Sequence, residues 1–335
     1  MNTLCAIGEA LIDFIPDQQG KLKEVTGFQR VAGGAPANVA GTVCRLGGQA
    51  KLLTKLGQDA FGDYLLDQMQ KSGIDTSQIL RSSDYDTSLA FVSLSADANR
   101  DFKFYRRTAA DLQYAPKDVD EHVLDDCSIM HFCSVSLVES PMKYAHKKLI
   151  ELAIQNKKWI SFDPNLRLSL WDNEEACQNA IREFLPYADI LKLSDDEVSF
   201  VTGCDTIEEA LPMLFSGRCE YLLYTMGRHG SRLYRRDGTC LETAGIPVQA
   251  LDTTGAGDSF IGAFLFCLLS DDSAYWQALD NERLHDYLIF ANAYAACMVS
   301  RIGALTNLAD REAFREFINK HRQLLPAVSR MFKES

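Results

Sequence analysis

Between residues 127 and 225 short apolar runs alternate with amphipathic stretches, and this alternation narrows the possible folds more than any other feature of the chain. Residues 128–134, 159–163, 190–193 and 221–225 read as strands. Residues 141–156, 173–185 and 195–201 read as the helices between them. Strands separated by helices return parallel, and the crossover helices cover both faces of the sheet. The expected class is therefore α/β, with a mostly parallel central sheet. Ligands in such folds bind beyond the carboxyl ends of the strands. A chain of 335 residues, 47% apolar and 24% charged, can bury one large core of this kind.

The first third departs from the alternation. Residues 4–7 form a short apolar run ending at Gly8, and the chain then continues extended to Pro16. Residues 21–30 and 87–107 are polar and strand-like. The second of these reads as a hairpin, with strands at 89–95 and 102–106 and a turn at 96–101. Between the two lies Val31-Ala-Gly-Gly-Ala-Pro-Ala-Asn-Val-Ala. Gly33 and Gly34 make a bare backbone shelf, and Pro36 suits a first helical position. Asn38 then falls in the first turn, where its amide can donate and accept toward a polyol. Asp13 reads either as a turn carboxylate or as an acceptor for two sugar hydroxyls.

A second constraint is Asp252-Thr253-Thr254-Gly255-Ala256-Gly257-Asp258-Ser259-Phe260, which opens into an apolar run to Leu269. It reads as a tight turn delivering the first turn of a helix, where backbone N–H groups are unpaired and partly positive. The amides of Gly255, Ala256 and Gly257 are a candidate cradle for a phosphoryl group. Asp258 does not suit plain anion binding, because a carboxylate repels the ligand. It reads as a helix cap or as a base that takes a proton from a hydroxyl attacking bound phosphorus. No Gly-Lys-Ser/Thr follows, and Phe260 stands where a dinucleotide fingerprint needs its third glycine.

Other candidates fall at the carboxyl ends of strands. Asp163-Pro164-Asn165-Leu166-Arg167 follows one strand, and Lys192-Leu193-Ser194-Asp195-Asp196-Glu197 ends another. Thr225-Met226-Gly227-Arg228-His229-Gly230 follows a third. Its glycines suit a loop that hugs a nucleotide, or an ordinary hairpin into residues 231–235. Glu139 reads as a sugar contact or as a helix-start acid beside Pro141. Net charge is −12, which argues against a nucleic-acid or anionic-membrane surface. Any anionic ligand must meet local cations such as Lys192 and Arg228. The ten cysteines include no Cys-x-x-Cys pair and read as reduced thiols. The six histidines form no ligand cluster, so no structural zinc is expected. No signal peptide and no membrane span is expected, which makes the cytoplasm the expected compartment.

These motifs, in this order, resemble the PfkB (ribokinase-like) sugar kinases, from Gly8-Glu9 to Gly303-Ala304. The shelf with Arg45-Leu46-Gly47-Gly48, the Asp163–Arg167 loop and the Asp252–Asp258 turn carry the likeness. Within the family the chain is most similar to bacterial fructokinases. The resemblance implies a three-layer fold in one domain, residues 1–325, with a small β-sheet lid from insertions near 14–31 and 87–107 and a tail at 326–335. It makes Asp258 the general base and 255–257 the anion hole. It turns Asp13, Gly33, Gly34, Asn38, Arg106, Glu139 and Arg167 toward the sugar. For Arg106 a solvated charge pair with Arg107 is the other reading. Lys192, Thr225, Gly227, Gly230 and Asn292 border the nucleotide, although Asn292 also reads as a packing residue.

Glu197 is linked through water to magnesium in the same resemblance, and is otherwise a solvated helix-start acid. The resemblance also implies that Asp252 and Thr254, closed over by residues 300–304, are a monovalent-cation site that would take K+. The family usually has asparagine where this chain has Ser194, which removes the expectation of a direct phosphate contact there. The implied reaction moves the γ-phosphoryl group of Mg-ATP onto the 6-hydroxyl of D-fructose. The alternatives are a kinase for aminoimidazole riboside, ribose or a keto-sugar acid, or a sugar-binding regulator without chemistry. Retention of Asp258 argues against the last. The implied partners are the sugar, ATP and a second copy of the chain, docked through the lid.

Overall fold

A computed structural model describes residues 2–94, 100–271, 276–301, 303–325 and 328. The chain begins with β1 (Thr3–Ile7), β2 (Leu11–Pro16), β3 (Phe28–Gly33), α1 (Ala35–Arg45), β4 (Gln49–Gly57), α2 (Ala60–Lys71) and β5 (Ile79–Ser82). A hairpin of β6 (Leu89–Leu94) and β7 (Arg100–Tyr105) follows. Then come β8 (Cys127–Cys133), α3 (Pro141–Gln155), β9 (Trp159–Asp163), α4 (Glu174–Phe184), β10 (Ile190–Ser194), α5 (Asp195–Thr202), α6 (Ile207–Leu214) and β11 (Tyr221–Thr225). The chain finishes with β12 (Ser231–Arg235), β13 (Cys240–Thr243), α7 (Ala256–Ser270), α8 (Asn281–Val299) and α9 (Arg311–Lys320).

The large sheet has nine strands in the order β13-β12-β11-β10-β9-β8-β1-β4-β5. Pairing is parallel from β11 through β5 and antiparallel at the β11-β12-β13 edge. The small sheet has four strands, β3-β2-β6-β7, with β2 and β6 parallel and the other pairs antiparallel. This is the ribokinase-like α/β arrangement. The strand expected over 21–30 is confined to its C-terminal part. Leu22–Glu24 is one 3-10 turn with no buried residue, because that polar stretch has no apolar face to give a sheet. The hairpin turn residues 95–99 and most of the tail lie outside the described residues. Among the described residues no helix is long and apolar enough to cross a membrane.

Two apolar clusters flank the large sheet. One joins it to α1, α7 and α8, the other to α3, α4 and α5. Helix α7 is buried almost all round, because it runs between α1 and α8. Its Gly262 permits the close crossing with α1. A Cβ there would stand 2.7 Å from Thr42 Cβ and 3.1 Å from the Val39 carbonyl oxygen. That crossing holds the first turns of α1 and α7 side by side, which sets up the site. Gly262→Val is therefore expected to cost about 1–3 kcal/mol of stability through overpacking. Urea denaturation measures it, and an unchanged midpoint would mean that the two helices are not in close contact.

Candidate active site

Asp258 lies in the first turn of α7, with only 7% of the residue exposed. Gly255 caps the helix in the left-handed region, at φ 72°. Side-chain amides from two distant segments hold the two carboxylate oxygens. Asn38 Nδ2 donates to Oδ2 at 2.8 Å, and Asn165 Nδ2 donates to Oδ1 at 3.2 Å. Burial pushes the Asp258 carboxyl above its ordinary value, against the Asn38 hydrogen bond and the charges of Arg167 and Lys192. A carboxylate buried in this way gains proton affinity.

Asn38 reaches Asp258 because the Gly33-Gly34 turn starts α1 at the right place. Gly34 sits at φ 112°, and a Cβ on it would come within 2.4 Å of the Glu9 carbonyl oxygen. At Gly33 a Cβ would meet the Asp13 carboxylate at 2.2 Å. The shelf is bare because Asp13, from β2, lies directly against it. Asn165 reaches Asp258 from the loop after β9, where its backbone is left-handed at φ 45°. The sequence marked this residue only as part of its loop. A left-handed asparagine after Pro164 turns the amide back toward α7, which spacing does not reveal.

Beside this lies a buried ion cluster. Lys192 Nζ donates to Asp163 Oδ1 at 3.1 Å and lies 3.9 Å from Glu197 Oε2. Burial alone would lower the lysine's proton affinity, but Asp163, Glu197 and Asp258 outweigh it and keep Lys192 charged. Burial pushes Asp163 up to about 7 against the pull of Lys192, with Glu197 and Asp258 adding to the push. Glu197 goes the other way. Its burial is outweighed by Lys192 and by the amides it accepts, from Leu166 and from Ser194, each at 2.8 Å. It closes a capping box on α5 and ties the loop after β9 to β10. Asp163 Oδ2 is buried without a hydrogen-bond partner.

The turn before α7 is held by Asp252. Its Oδ1 accepts from Thr254 N at 2.8 Å and its Oδ2 from Gly303 N at 3.1 Å. Thr254 Oγ1 is buried with no hydrogen-bond partner. Of the three expected anion-hole amides, that of Ala256 donates to the Thr253 carbonyl at 3.2 Å, so it is shared with the turn. Lys192 Nζ lies 3.1 Å from where a Cβ on Gly257 would be, so an alanine there would crowd the lysine. Among the described residues no group of three or more His, Cys, Asp or Glu is arranged to hold a metal ion.

The other expected residues have the following surroundings. Arg106 is neither solvated nor free to reach a phosphate. Its guanidinium is buried and donates to Asp111, the Val135 carbonyl and Ser136. Spacing places a residue at a strand end but not the direction of its long side chain. The Glu139 side chain is 70% exposed, accepts from Tyr144 and pairs with Lys143, so it behaves as the helix-start acid. Arg167 donates to the Leu166 carbonyl at 2.8 Å while its charge acts on Asp258. Asn292 donates to Ser231 Oγ at 2.9 Å, which ties α8 to β12. Thr225 ends β11. Gly230 lets the β12 hairpin approach the Thr243 carbonyl, where a Cβ would lie 2.0 Å away. Gly227, at φ 52°, faces open space.

The description "pfkB family carbohydrate kinase" matches residues 1–311. The probable fructokinase-2 of Arabidopsis thaliana is 40% identical over 306 residues, which cover 90% of this chain and 92% of that one. The fructokinase from Xylella fastidiosa, solved with bound ATP, superimposes with a TM-score of 0.87 at 34% identity, covering 96% of this chain and 99% of the other. A double mutant of the fructokinase from Vibrio cholerae O395, in its fructose-, ADP- and potassium-bound form, gives a TM-score of 0.84 at 27% identity, covering 95% and 98%.

The ion cluster yields a test of its own. Lys192→Met leaves Asp163 and Glu197 buried without their cation and is expected to cost about 3–5 kcal/mol at about pH 8. Asp163 has a folded-state affinity raised above its ordinary value of 3.8, so ionising it in place opposes folding. That penalty fades as pH falls below about 7, and the deficit of the variant shrinks with it. Urea denaturation at about pH 8 and about pH 5.5 reads the difference, and equal losses at both would argue against the charge cluster.

Proposed function

The chain belongs to the pfkB family of carbohydrate kinases, and from that membership we propose that it transfers the γ-phosphoryl group of ATP to the 6-hydroxyl of D-fructose. The observation that carries the reading is Asp258, a buried carboxylate at a glycine-opened helix start, held by two neutral amides. Asn38 and Asn165 orient it and leave lone pairs for an incoming hydroxyl. Asp258 accepts the proton as the hydroxyl oxygen attacks phosphorus. The amides at the start of α7 and the Lys192 charge stabilise the transferred group. Asp13 and the Gly33-Gly34 shelf present the sugar, and the small sheet covers it and keeps water out. The strong likeness to fructokinases supports fructose as the acceptor.

Glu197 and Asp163 are the carboxylates that would meet the water shell of Mg2+ bound with ATP, and that ion would supply charge neutralisation on the phosphates. The buried, unpartnered Thr254 hydroxyl and Asp252 fit a monovalent cation. Such an ion would raise the positive potential of the turn. Thr225 and Gly227 would border the nucleotide. The reading includes a homodimer built through the small sheet, whose edge strands are β3 and β7, and a cytoplasmic location in keeping with free cysteines.

A coupled assay of ADP release over a panel of fructose, ribose, aminoimidazole riboside and a keto-sugar acid tests the acceptor. Fructose should give the highest kcat/KM, and another preferred sugar would overturn the assignment. Asp258→Asn should lower kcat by at least ~10²-fold with a much smaller change in sugar binding. For the parent enzyme, kcat/KM should fall as pH drops through the Asp258 ionisation, which lies above the ordinary 3.8. Near-normal turnover in the variant would remove Asp258 as the base. Replacing K+ by a bulky organic cation should lower turnover if Thr254 and Asp252 hold the ion.

A further inference from the structure

The β6–β7 hairpin is fastened at both feet to one buried carboxylate. Ser88, just before β6, donates its hydroxyl to Asp111 Oδ1. Arg106, just after β7, donates to Asp111 Oδ2, through Nε at 2.7 Å and also through Nη2. The same guanidinium reaches the other way, with Nη1 to the Val135 carbonyl at 2.6 Å and Nη2 to Ser136 Oγ at 2.9 Å. The Ser136 hydroxyl donates in turn to Glu9 Oε2 at 2.7 Å. Glu9 Oε1 accepts from the backbone N–H of Ala35 at 3.1 Å, the first residue of α1. Ser88, Arg106, Asp111, Ser136 and Glu9 are each 4% exposed or less.

This path runs in one direction. A serine hydroxyl has one hydrogen, and Ser136 gives it to Glu9 while accepting from Arg106. Burial pushes Glu9 up, and the Arg106 charge and the Ser136 bond oppose that push. The partly positive start of α1 adds to the opposition. Buried ionic networks contribute little net stability compared with apolar packing, but they fix geometry. Here the geometry fixed is that of the hairpin base relative to the Gly33-Gly34 turn.

We propose that Glu9, Ser136 and Arg106 are positioning residues that couple the small-sheet hairpin to the start of α1, so that both walls of the acceptor site move together. The inference rests on the reading that the sugar lies between those walls. Ser136→Ala cuts this side-chain link while leaving Arg106–Asp111, Glu9–Ala35 and the β6-β2-β3 backbone ladder in place. It should raise the acceptor KM about tenfold, with kcat and the KM for ATP within about twofold of the parent. Glu9→Gln should act in the same direction, and the double variant should be no worse than the worse single, because both cut one path.

Amide hydrogen exchange supplies a readout that does not need turnover. Ser136→Ala should speed exchange in β6 and β7 and leave β8–β10 unchanged. An unaltered acceptor KM with unaltered hairpin exchange would overturn the proposal. So would multiplying effects in the double variant, or a parallel fall in kcat and rise in both KM values with a lowered melting temperature. A different preferred sugar, or no turnover by the parent, would overturn the functional reading alone, and the exchange comparison would still decide the coupling.

Discussion

A carboxylate taken out of water has to be held by groups that do not neutralise it, and the rest of the structure answers to that demand at Asp258. An isolated buried anion is costly, and a directly paired one is a poor base. The protein takes an intermediate course. Two neutral amides contact the oxygens, while Lys192 contacts Asp163 and acts on Asp258 from further off. The amides come from α1 and from the loop after β9, so the carboxylate is held in this way only when three distant parts of the chain are in register. The parallel sheet supplies that register by ending β9 and β10 on the same side, and the glycine-mediated α1–α7 crossing supplies the rest.

The same economy governs charge. A chain with a net charge of −12 repels polyanions over most of its surface, so attraction must be local. Lys192 is a local positive charge in a buried position, held charged by carboxylates that also join the surrounding loops. Glu197 shows the double use most plainly. Its two oxygens accept backbone N–H groups from separate segments, so a residue in the ion cluster also joins two strand ends.

Much of this was legible in the residues. Alternating periodicity located the middle strands and helices, because burial on both faces of a parallel sheet leaves apolar runs that surface loops interrupt. Glycines exposed the two turns at the starts of α1 and α7, since few other residues tolerate their backbone angles or close contacts. Direction was harder to read. Arg106 ends a hairpin in sequence, but its aim depends on Asp111 and Ser136, whose positions follow from packing. Glu9 looked like one more residue after a strand, yet it accepts from an amide 26 positions away. Helices such as α2 and α6 also went unassigned, one opening on an Asp59 cap and the other carrying Pro212 inside it.

Asn165 carries a consequence for how this site can drift over generations. Its left-handed backbone costs an ordinary side chain about 1–2 kcal/mol, a cost that glycine avoids. Glycine would therefore be comfortable for folding at 165, and yet it would release one oxygen of Asp258. Aspartate would keep the shape and place a second negative group against the first. Mutational tolerance at that position is thus divided: the chain would accept replacements that the chemistry would not, and screens for solubility or expression would miss the loss.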